Sequence, residues 1–251
     1  MTDPFVAEEI DGNLHGLGTC DMKGAVAAML IAAAQMAQSG PSAGRLTLVL
    51  TADEEYGSRF GSRYLAEESL IEADAIVIGE PGGIERDWDA LNVISRGIAN
   101  IYIDVEGRQG HSSLSRVKGY QFATQAMAEV LIAFAEDFAP TYPSNDLGAG
   151  PTVNAGVLVE GGVGFGGVPG LATFASDVRL VPGMEKATFE QELAGFLAAF
   201  EPRGIRANAR FEDAPRDWLP PTQVEADDPV VTSCQRAAQS VLGSDLPLGV
   251  F

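Results

Sequence analysis

The sequence is poor in histidine, cysteine and basic residues. Its 251 residues include two histidines, two cysteines and 16 lysines and arginines, against 35 aspartates and glutamates. The two cysteines, Cys20 and Cys234, have neither zinc-knuckle nor redox spacing, which excludes a disulfide scaffold and a cysteine-based zinc module. The formal net charge of −19 repels phosphate backbones and anionic lipid. We therefore expect no nucleic-acid partner and no membrane partner.

Two further patterns are missing. No apolar run is long enough, by inspection of the sequence, to span a bilayer, and no signal peptide is visible at the start. The few cysteines suit a reducing compartment. The sequence thus predicts a cytoplasmic enzyme, and 251 residues suffice for two domains with their own cores.

What the sequence does contain is a set of four acidic residues, each where an apolar segment meets a tight loop. They are Asp21, Glu54, Glu55 and Glu80. In an open α/β sheet the carboxyl ends of parallel strands form the rim where ligands bind. Carboxylates crowded in a cleft raise one another's pKa, and a divalent cation relieves the repulsion. The pattern favours a metal site, although each residue alone is equally typical of a solvated surface charge, and Asp21 of a helix N-cap.

These residues lie in three motifs that resemble successive motifs of the M20 metallopeptidase family. The motifs are Gly-Thr-Cys-Asp-Met-Lys-Gly at 18–24, Thr-Ala-Asp-Glu-Glu-Tyr-Gly at 51–57 and Gly-Glu-Pro at 79–81. Their order and spacing are specific. The form of the first motif is similar to that of the acetylornithine deacetylase and succinyl-diaminopimelate desuccinylase branch.

The resemblance implies a site with two zinc ions, or cobalt or manganese in their place. It implies that Asp21 bridges the metals, that Glu54 is the general base acting on the shared water, and that Glu55 and Glu80 each ligate one metal. It also implies a cis peptide bond between Asp21 and Met22. Lys23 and Gly24 are then structural and shape the entry into the following helix.

The resemblance extends to an inserted lid, or dimerisation, domain. In relatives, the histidine of a Gly-His motif reaches into the partner's active site of a homodimer and stabilises the oxyanion; His111 matches it. Without the motif, His111 is a loop histidine that caps a turn. Asn154 and Arg179 match positions that contact the substrate, typically its carboxylate, for which the planar guanidinium is suited. Either is otherwise a strand-edge residue.

Some expected ligands are absent from this chain. Relatives have a His-x-Asp motif at a position upstream of Met1 and a last histidine ligand near the C-terminus. His15 has no His-x-Asp context, so we interpret it as structural. The sequence therefore predicts the middle of a family member with an incomplete dinuclear site.

The pattern of elements predicts an α/β fold. Residues 1–95 are the first part of a zinc-hydrolase catalytic domain with a mostly parallel sheet, 96–212 an α+β ferredoxin-like lid, and 213–251 a return to the catalytic domain. Strands are predicted at 45–51, 75–78, 170–180 and 206–212, and helices at 24–38, 61–68, 119–135, 186–200 and 229–242. The Gly-rich segment 160–167 lacks the ending of a phosphate loop, so we predict a flexible lid loop.

Together these features predict a metal-dependent hydrolase that cleaves the amide bond of N-acyl amino acids by way of a metal-bridging water. Two alternatives stay open: a carboxypeptidase or dipeptidase of the same family acting on short peptides, and a non-catalytic remnant that only dimerises.

Overall fold

The computed structural model describes residues 3–40, 44–83 and 86–251. Contacts divide the chain into two units. The first unit comprises Met1–Ala90 and Thr232–Pro247, and the second comprises Leu91–Val231 and Leu248–Phe251. The contact-based second unit thus includes 213–231, which the sequence assigned to a returning catalytic segment. The predicted domain limits at 95 and 212 stay a prediction.

The secondary structure follows the chain in this order: β1 (Glu8–Ile10), β2 (Asn13–His15), α1 (Gly24–Gln38), α2 (Ser62–Glu67), β3 (Leu91–Ser95), β4 (Gly97–Glu106), β5 (Gly110–His111), α3 (Ser115–Lys118), α4 (Ala123–Asp137), β6 (Thr152–Gly161), β7 (Gly167–Val168), β8 (Leu171–Leu180), α5 (Lys186–Ala198), β9 (Arg206–Phe211), β10 (Trp218–Leu219), β11 (Thr222–Gln223), α6 (Pro229–Leu242) and β12 (Leu248–Val250). Short helical turns occur at Thr19–Lys23, Glu54–Tyr56, Ser112–Leu114 and Glu201–Arg203.

A five-stranded antiparallel sheet organises the second unit. Its strands run in the order β10-β4-β8-β6, and β9 also pairs with β4. Strand β4 alternates between buried and less buried residues along its whole length, as expected for a strand with one face on a core. Two smaller sheets, β11-β3-β12 and β5-β7, lie in the same unit. The element order β4-α4-β6-β8-α5-β9 places two strand-helix-strand segments in one sheet.

The core of the second unit lies between this sheet and the helices α4 and α5. Both helices bury one stripe of apolar residues, including Phe134 on α4 and Phe189 on α5. Phe134 is fully buried, and its ring packs against the rings of Phe138, Phe174 and Phe196 at centroid distances of 4.6, 5.8 and 5.7 Å. Aromatic packing of this kind adds to the hydrophobic effect of burial. Phe134 is therefore a centre of the core.

The helix predicted at 119–135 begins later than expected. Gly119 has a left-handed backbone (φ 58°) and ends the short helix α3, and α4 starts only at Ala123. Left-handed glycine is a common helix terminator. The other predicted helices and the strands at 170–180 and 206–212 are confirmed to within two residues at their ends.

The first unit contains a β1-β2 hairpin, the helices α1 and α2 and most of α6. His15 lies at the end of the hairpin, opposite Glu8, and its structural role stays a prediction. Among the described residues of this unit, only Gly61 and Leu246 are buried. Its apolar side chains are therefore mostly open to solvent in the chain as it stands.

The strands predicted at 45–51 and 75–78 are not formed within the described residues. Neither segment has a ladder partner, and the only parallel pair among the described strands is β3 with β12, in the second unit. A strand exists through its hydrogen bonds to a neighbour, so an apolar run without such bonds is not a strand. Leu50 and Ile78, in these two apolar runs, are 63% and 71% exposed.

The prediction that no apolar run is long enough to span a bilayer was wrong, judged by length and composition alone. Eighteen consecutive residues within the 20-residue stretch Thr19–Gln38 have a mean hydropathy of 1.2, so by length and composition the stretch could cross a membrane, a test that core helices also pass. The stretch is not one regular helix, because Asp21 and Met22 have non-helical backbone angles. Its regular part, α1, has 15 residues and is about 22 Å long, against about 30 Å of bilayer hydrocarbon.

The aromatic core gives a stability prediction. Phe134→Ala should lower the free energy of unfolding of the second unit by about 3 to 5 kcal/mol, because it leaves a cavity between three rings. Ile132→Ala on the same helix, where the side chain is 58% exposed, should change it by less than about 0.5 kcal/mol. Urea unfolding followed by circular dichroism measures both, and equal effects would contradict this packing.

Candidate metal and hydrolase site

Asp21 is held in a closed loop at the start of α1. The main-chain N–H of Lys23 donates to the carbonyl of Gly18 at 2.9 Å, and Lys23 Nζ donates to the carbonyl of Leu17 at 2.8 Å. The peptide bond between Asp21 and Met22 is cis, which confirms the prediction from the resemblance. Lys23 thus closes the loop, and α1 begins directly after it at Gly24.

Glu54 and Glu55 form a short helical turn with Tyr56, and Asp53 holds that turn in place. Asp53 has a left-handed backbone (φ 62°), and its carbonyl accepts the N–H groups of Tyr56 and Ser58 at 3.1 and 2.8 Å. Its carboxylate Oδ2 accepts the N–H of Phe60 at 2.7 Å. Asp53 thus orders the loop through its carbonyl and Oδ2, while its Oδ1 is buried without a hydrogen-bond partner among the described residues.

Glu80 reaches Asp21 because the residue before it is a glycine. A Cβ atom on Gly79 would lie 2.8 Å from Cβ of Ala25 and 2.7 Å from Cε of Met29, both on α1. Real Cβ atoms do not approach so closely, and Cβ of Ala25 cannot rotate away. The segment that carries Glu80 therefore packs against α1 with only a hydrogen atom between them.

The four acidic residues lie close enough to perturb one another. Partial desolvation raises the pKa of Glu54, and the negative charges of Glu55 and Asp21 raise it further. Desolvation also raises the pKa of Glu80, as do the charge of Asp21, a side-chain hydrogen bond with Asp21 and the charges of Glu54 and Glu55. The three loops thus lie near one another in the first unit, and their role as a metal site stays a prediction.

The donor chemistry of this group fits a divalent cation. Asp21, Glu55 and Glu80 offer carboxylate oxygens whose mutual repulsion a cation would relieve. In the part of the chain that the structure describes, no three Asp, Glu, His or Cys side chains close around a point that would hold a metal ion. The carboxylates are near one another without forming a finished coordination shell.

His111 lies in the second unit, at the end of β5. Its Nδ1 accepts the N–H of Ser113 at 3.3 Å and lies 2.8 Å from Oγ of Ser113, so the ring caps the turn Ser112–Leu114. The side chain is exposed. Nε2 has no hydrogen-bond partner among the described residues, so the capping role leaves the second ring nitrogen available.

Asn154 and Arg179 come together across the β6–β8 ladder. Asn154 stands opposite Asp177, and Thr152 opposite Arg179, which puts all four on one face of the sheet. Arg179 already has a partner: its Nε lies 3.0 Å from Oδ1 of Asp177, and its Nη2 donates to Oδ2 at 3.1 Å. A ligand carboxylate that takes this guanidinium must therefore compete with Asp177.

Asp53 and Asp177 are two further residues of the candidate site that motif spacing does not single out. Asp53 stands inside the acidic motif, but only its positive φ and its bond to Phe60 show that it orders the loop. For Asp177 a signal was present, because residues two apart in a strand lie on one face and Asp177 and Arg179 have opposite charges.

Sequence and structure comparisons show which known proteins the chain is similar to. The sequence profile described as Peptidase family M20/M25/M40 matches residues 1–249. A succinyl-diaminopimelate desuccinylase from Xanthomonas campestris pv. campestris (strain B100) is 32% identical over 203 residues, covering 78% of this chain and 52% of that protein. The enzyme of the same name from Sphingopyxis alaskensis is 43% identical over 114 residues, or 44% of this chain and 29% of that protein.

A tripeptidase from Staphylococcus aureus shares the mixed α/β fold, with a TM-score of 0.66 at 21% identity. The match covers 96% of this chain and 59% of that one. The chain thus spans about half the length of the curated relatives it matches.

The contact at Gly79 gives a prediction for the site. Gly79→Ala should push the 77–80 segment away from α1, lower stability by about 1 to 3 kcal/mol and weaken zinc binding, because Glu80 would move from Asp21. Gly44→Ala is the control, since no atom lies within 4 Å of a Cβ there. Urea unfolding and zinc titration calorimetry of the natural gene product measure both effects. Unchanged zinc affinity in Gly79→Ala would refute a role for this packing in the site.

Proposed function

The chain belongs to peptidase family M20/M25/M40, and on that premise we propose that it carries the metal-dependent hydrolysis of N-acyl amino acids. Members of this family are generally metal-dependent hydrolases. The observation that carries the proposal is the proximity of Asp21, Glu54, Glu55 and Glu80 on three separate loops of the first unit. The curated relatives, named as desuccinylases, favour an acylated amino acid as substrate.

In this proposal Asp21, Glu55 and Glu80 would be the residues of this chain that hold zinc, or cobalt or manganese in its place. The remaining ligands come from residues outside this chain. Bound there, the metal supplies Lewis acidity, which polarises a carbonyl and acidifies a water. Three carboxylates on separate loops support the assignment, since each loop can present one side chain to a common point.

Glu54 is the general base. Its backbone is fixed by the turn that Asp53 organises, and its neighbour Glu55 leaves it free to face a water. It takes a proton from water as the water oxygen bonds to the amide carbon, and it returns the proton to the nitrogen as the carbon–nitrogen bond breaks. The products are the free carboxylate of the acyl group and the free amine of the amino acid.

His111 supports the oxygen that becomes negative during this attack, and it does so from a second copy of the chain. The capped Nδ1 holds the ring, and the exposed Nε2 is the donor. A homodimer through the second unit is supported by strand β6, which pairs only with β8 among the described residues and exposes Val157, Leu158 and Val159 on its length. An unpaired apolar strand edge favours pairing with another chain.

Asn154 and Arg179 bind the carboxylate of the amino-acid part of the substrate. The planar guanidinium can form two parallel hydrogen bonds with a carboxylate. With Asp177 it forms one, from Nη2 to Oδ2, and its Nε makes an ion-pair contact with Oδ1. Asn154, exposed on the neighbouring strand, adds an amide donor on the same face.

The finer features of the architecture belong to the same proposal. The second unit is the ferredoxin-like lid, for which the order of its strands and helices is the support. Residues 45–51 and 75–78 are strands of a mostly parallel sheet in the whole protein, which is supported by their exposed apolar side chains. A cytoplasmic location remains part of the proposal.

The first test is a substrate panel with zinc-loaded natural gene product and its Glu54→Gln variant. We expect release of free amino acid from N-acetyl or N-succinyl amino acids, and a fall in kcat of about 10² to 10⁴-fold in Glu54→Gln with zinc content retained, because only the base is lost. Glu68→Gln, at the exposed end of α2, is the control and should be unchanged.

Other results of the substrate panel would support the alternatives or refute the base. Cleavage of dipeptides in place of N-acyl amino acids would establish the peptidase alternative. Absence of both turnover and zinc binding would support the non-catalytic alternative. Full activity in Glu54→Gln would refute the assignment of the base.

The pairing of Arg179 gives a second prediction. Arg179→Lys should raise KM by about tenfold and change kcat by less than about twofold, because lysine cannot form the two parallel bonds to a ground-state carboxylate. Arg206→Lys, in a surface ion pair with Glu106 at 3.6 Å, is the matched control. Steady-state kinetics decide, and a loss confined to kcat would contradict a role in substrate binding.

A further inference from the structure

The Gly-rich loop of the second unit contains one phenylalanine that does not pack into the core. Phe165 is 112% exposed, the most exposed large apolar residue among those described. Gly162, Gly164 and Gly166 around it all have positive φ, and a Cβ atom on any of them would meet nothing within 4 Å. The tip of the loop therefore stands clear of the rest of the unit, with Phe165 on it.

The base of the same loop is attached to His111. Strand β7 pairs with β5, so that Gly167 stands opposite His111 and Val168 opposite Gly110. The N–H of Ser112 also donates to the carbonyl of Gly166 at 2.9 Å. Val168 is fully buried and anchors the return strand. Phe165 is thus two residues from the position that faces His111, on a loop whose end is fixed.

The loop that follows Glu160 has no charged side chain. Residues 161–168 are glycines with Val163, Phe165 and Val168. The side chain of Val163 is turned back onto Gly167, since a Cβ there would lie 2.5 Å from Cγ2 of Val163. Val163 is nevertheless 60% exposed, and Phe165, at 112%, is the most exposed apolar side chain of the loop.

We propose that Phe165 is a specificity-determining residue that contacts the acyl group of the substrate when that group is apolar. The carbonyl oxygen of the same acyl group is the one that His111 stabilises. The inference rests on the proposed function and narrows it, because it selects N-acyl amino acids with an uncharged alkyl or aryl acyl chain over those with a charged one such as succinyl. A single ring that covers the acyl chain on one side excludes water from it, and the gain grows with each methylene covered.

The test compares zinc-loaded natural gene product with its Phe165→Ala and Phe165→Leu variants on N-acetyl, N-butanoyl, N-hexanoyl and N-succinyl derivatives of one amino acid. In the unaltered protein kcat/KM should rise by up to about fourfold per methylene and should be lowest for the succinyl compound. In Phe165→Ala the rise should disappear through a higher KM for the longer chains, with the acetyl compound nearly unchanged. Phe165→Leu should restore most of the rise.

The control is Val241→Ala, an 81% exposed residue of the first unit, which should leave the whole series unchanged. Circular dichroism verifies that the variants fold, as expected for an exposed side chain. Hydrolysis with no dependence on chain length, a preference for the succinyl compound, or a dependence that Phe165→Ala leaves intact would overturn this inference and leave the proposed function standing. Failure to hydrolyse every N-acyl compound would overturn the proposed function itself, and this inference with it.

Discussion

The pairing of β4 with β8 over ten residues each is the interaction on which the second unit depends. It determines which side chains face the helices and which face outward. The odd-numbered residues of β4 build the core beneath α4 and α5, and the even-numbered ones carry polar contacts, among them the hydroxyl of Tyr102, which donates to Glu212 at 2.7 Å. The same alternation along β8 turns Asp177 and Arg179 outward while Val178 is buried. The proposed substrate contacts are therefore products of the register that forms the core.

The first unit follows a different principle, because its key residues repel one another. Asp21, Glu54, Glu55 and Glu80 come together through backbone devices, namely the loop that Lys23 closes, the left-handed Asp53 and the missing side chain of Gly79. This backbone geometry holds the carboxylates together against their mutual repulsion, and the pKa of Glu54 and of Glu80 is raised as a result. A cluster of like charges whose assembly costs free energy is typical of a functional site.

The sequence predicted helices and strands well where the local residue pattern determines them. It predicted them less well where a strand depends on a partner distant in the sequence. Helix α1 follows from an apolar run after a glycine loop, and its limits agree with the prediction at both ends. The runs at 45–51 and 75–78 have the composition of buried strands, but a strand also requires a neighbour, which composition does not provide. In the site, motif spacing picked out acidic residues that lie near enough to raise the pKa of Glu54 and of Glu80. The ion pair of Arg179 and the loop bonds of Asp53 depend on side-chain geometry that no spacing encodes.

The ion pair between Arg179 and Asp177 has a consequence for how an anion binds there. Since the guanidinium already holds one carboxylate, a second one enters by exchange, and one pair of charges replaces another. Added salt weakens the pair that is broken as well as the pair that is formed, so the two effects largely cancel. An anion at Arg179 should accordingly bind with an affinity that depends far less on ionic strength than binding at a solitary arginine does. In a protein with a net charge of −19, such exchange lets an acidic ligand be held without a strongly basic surface.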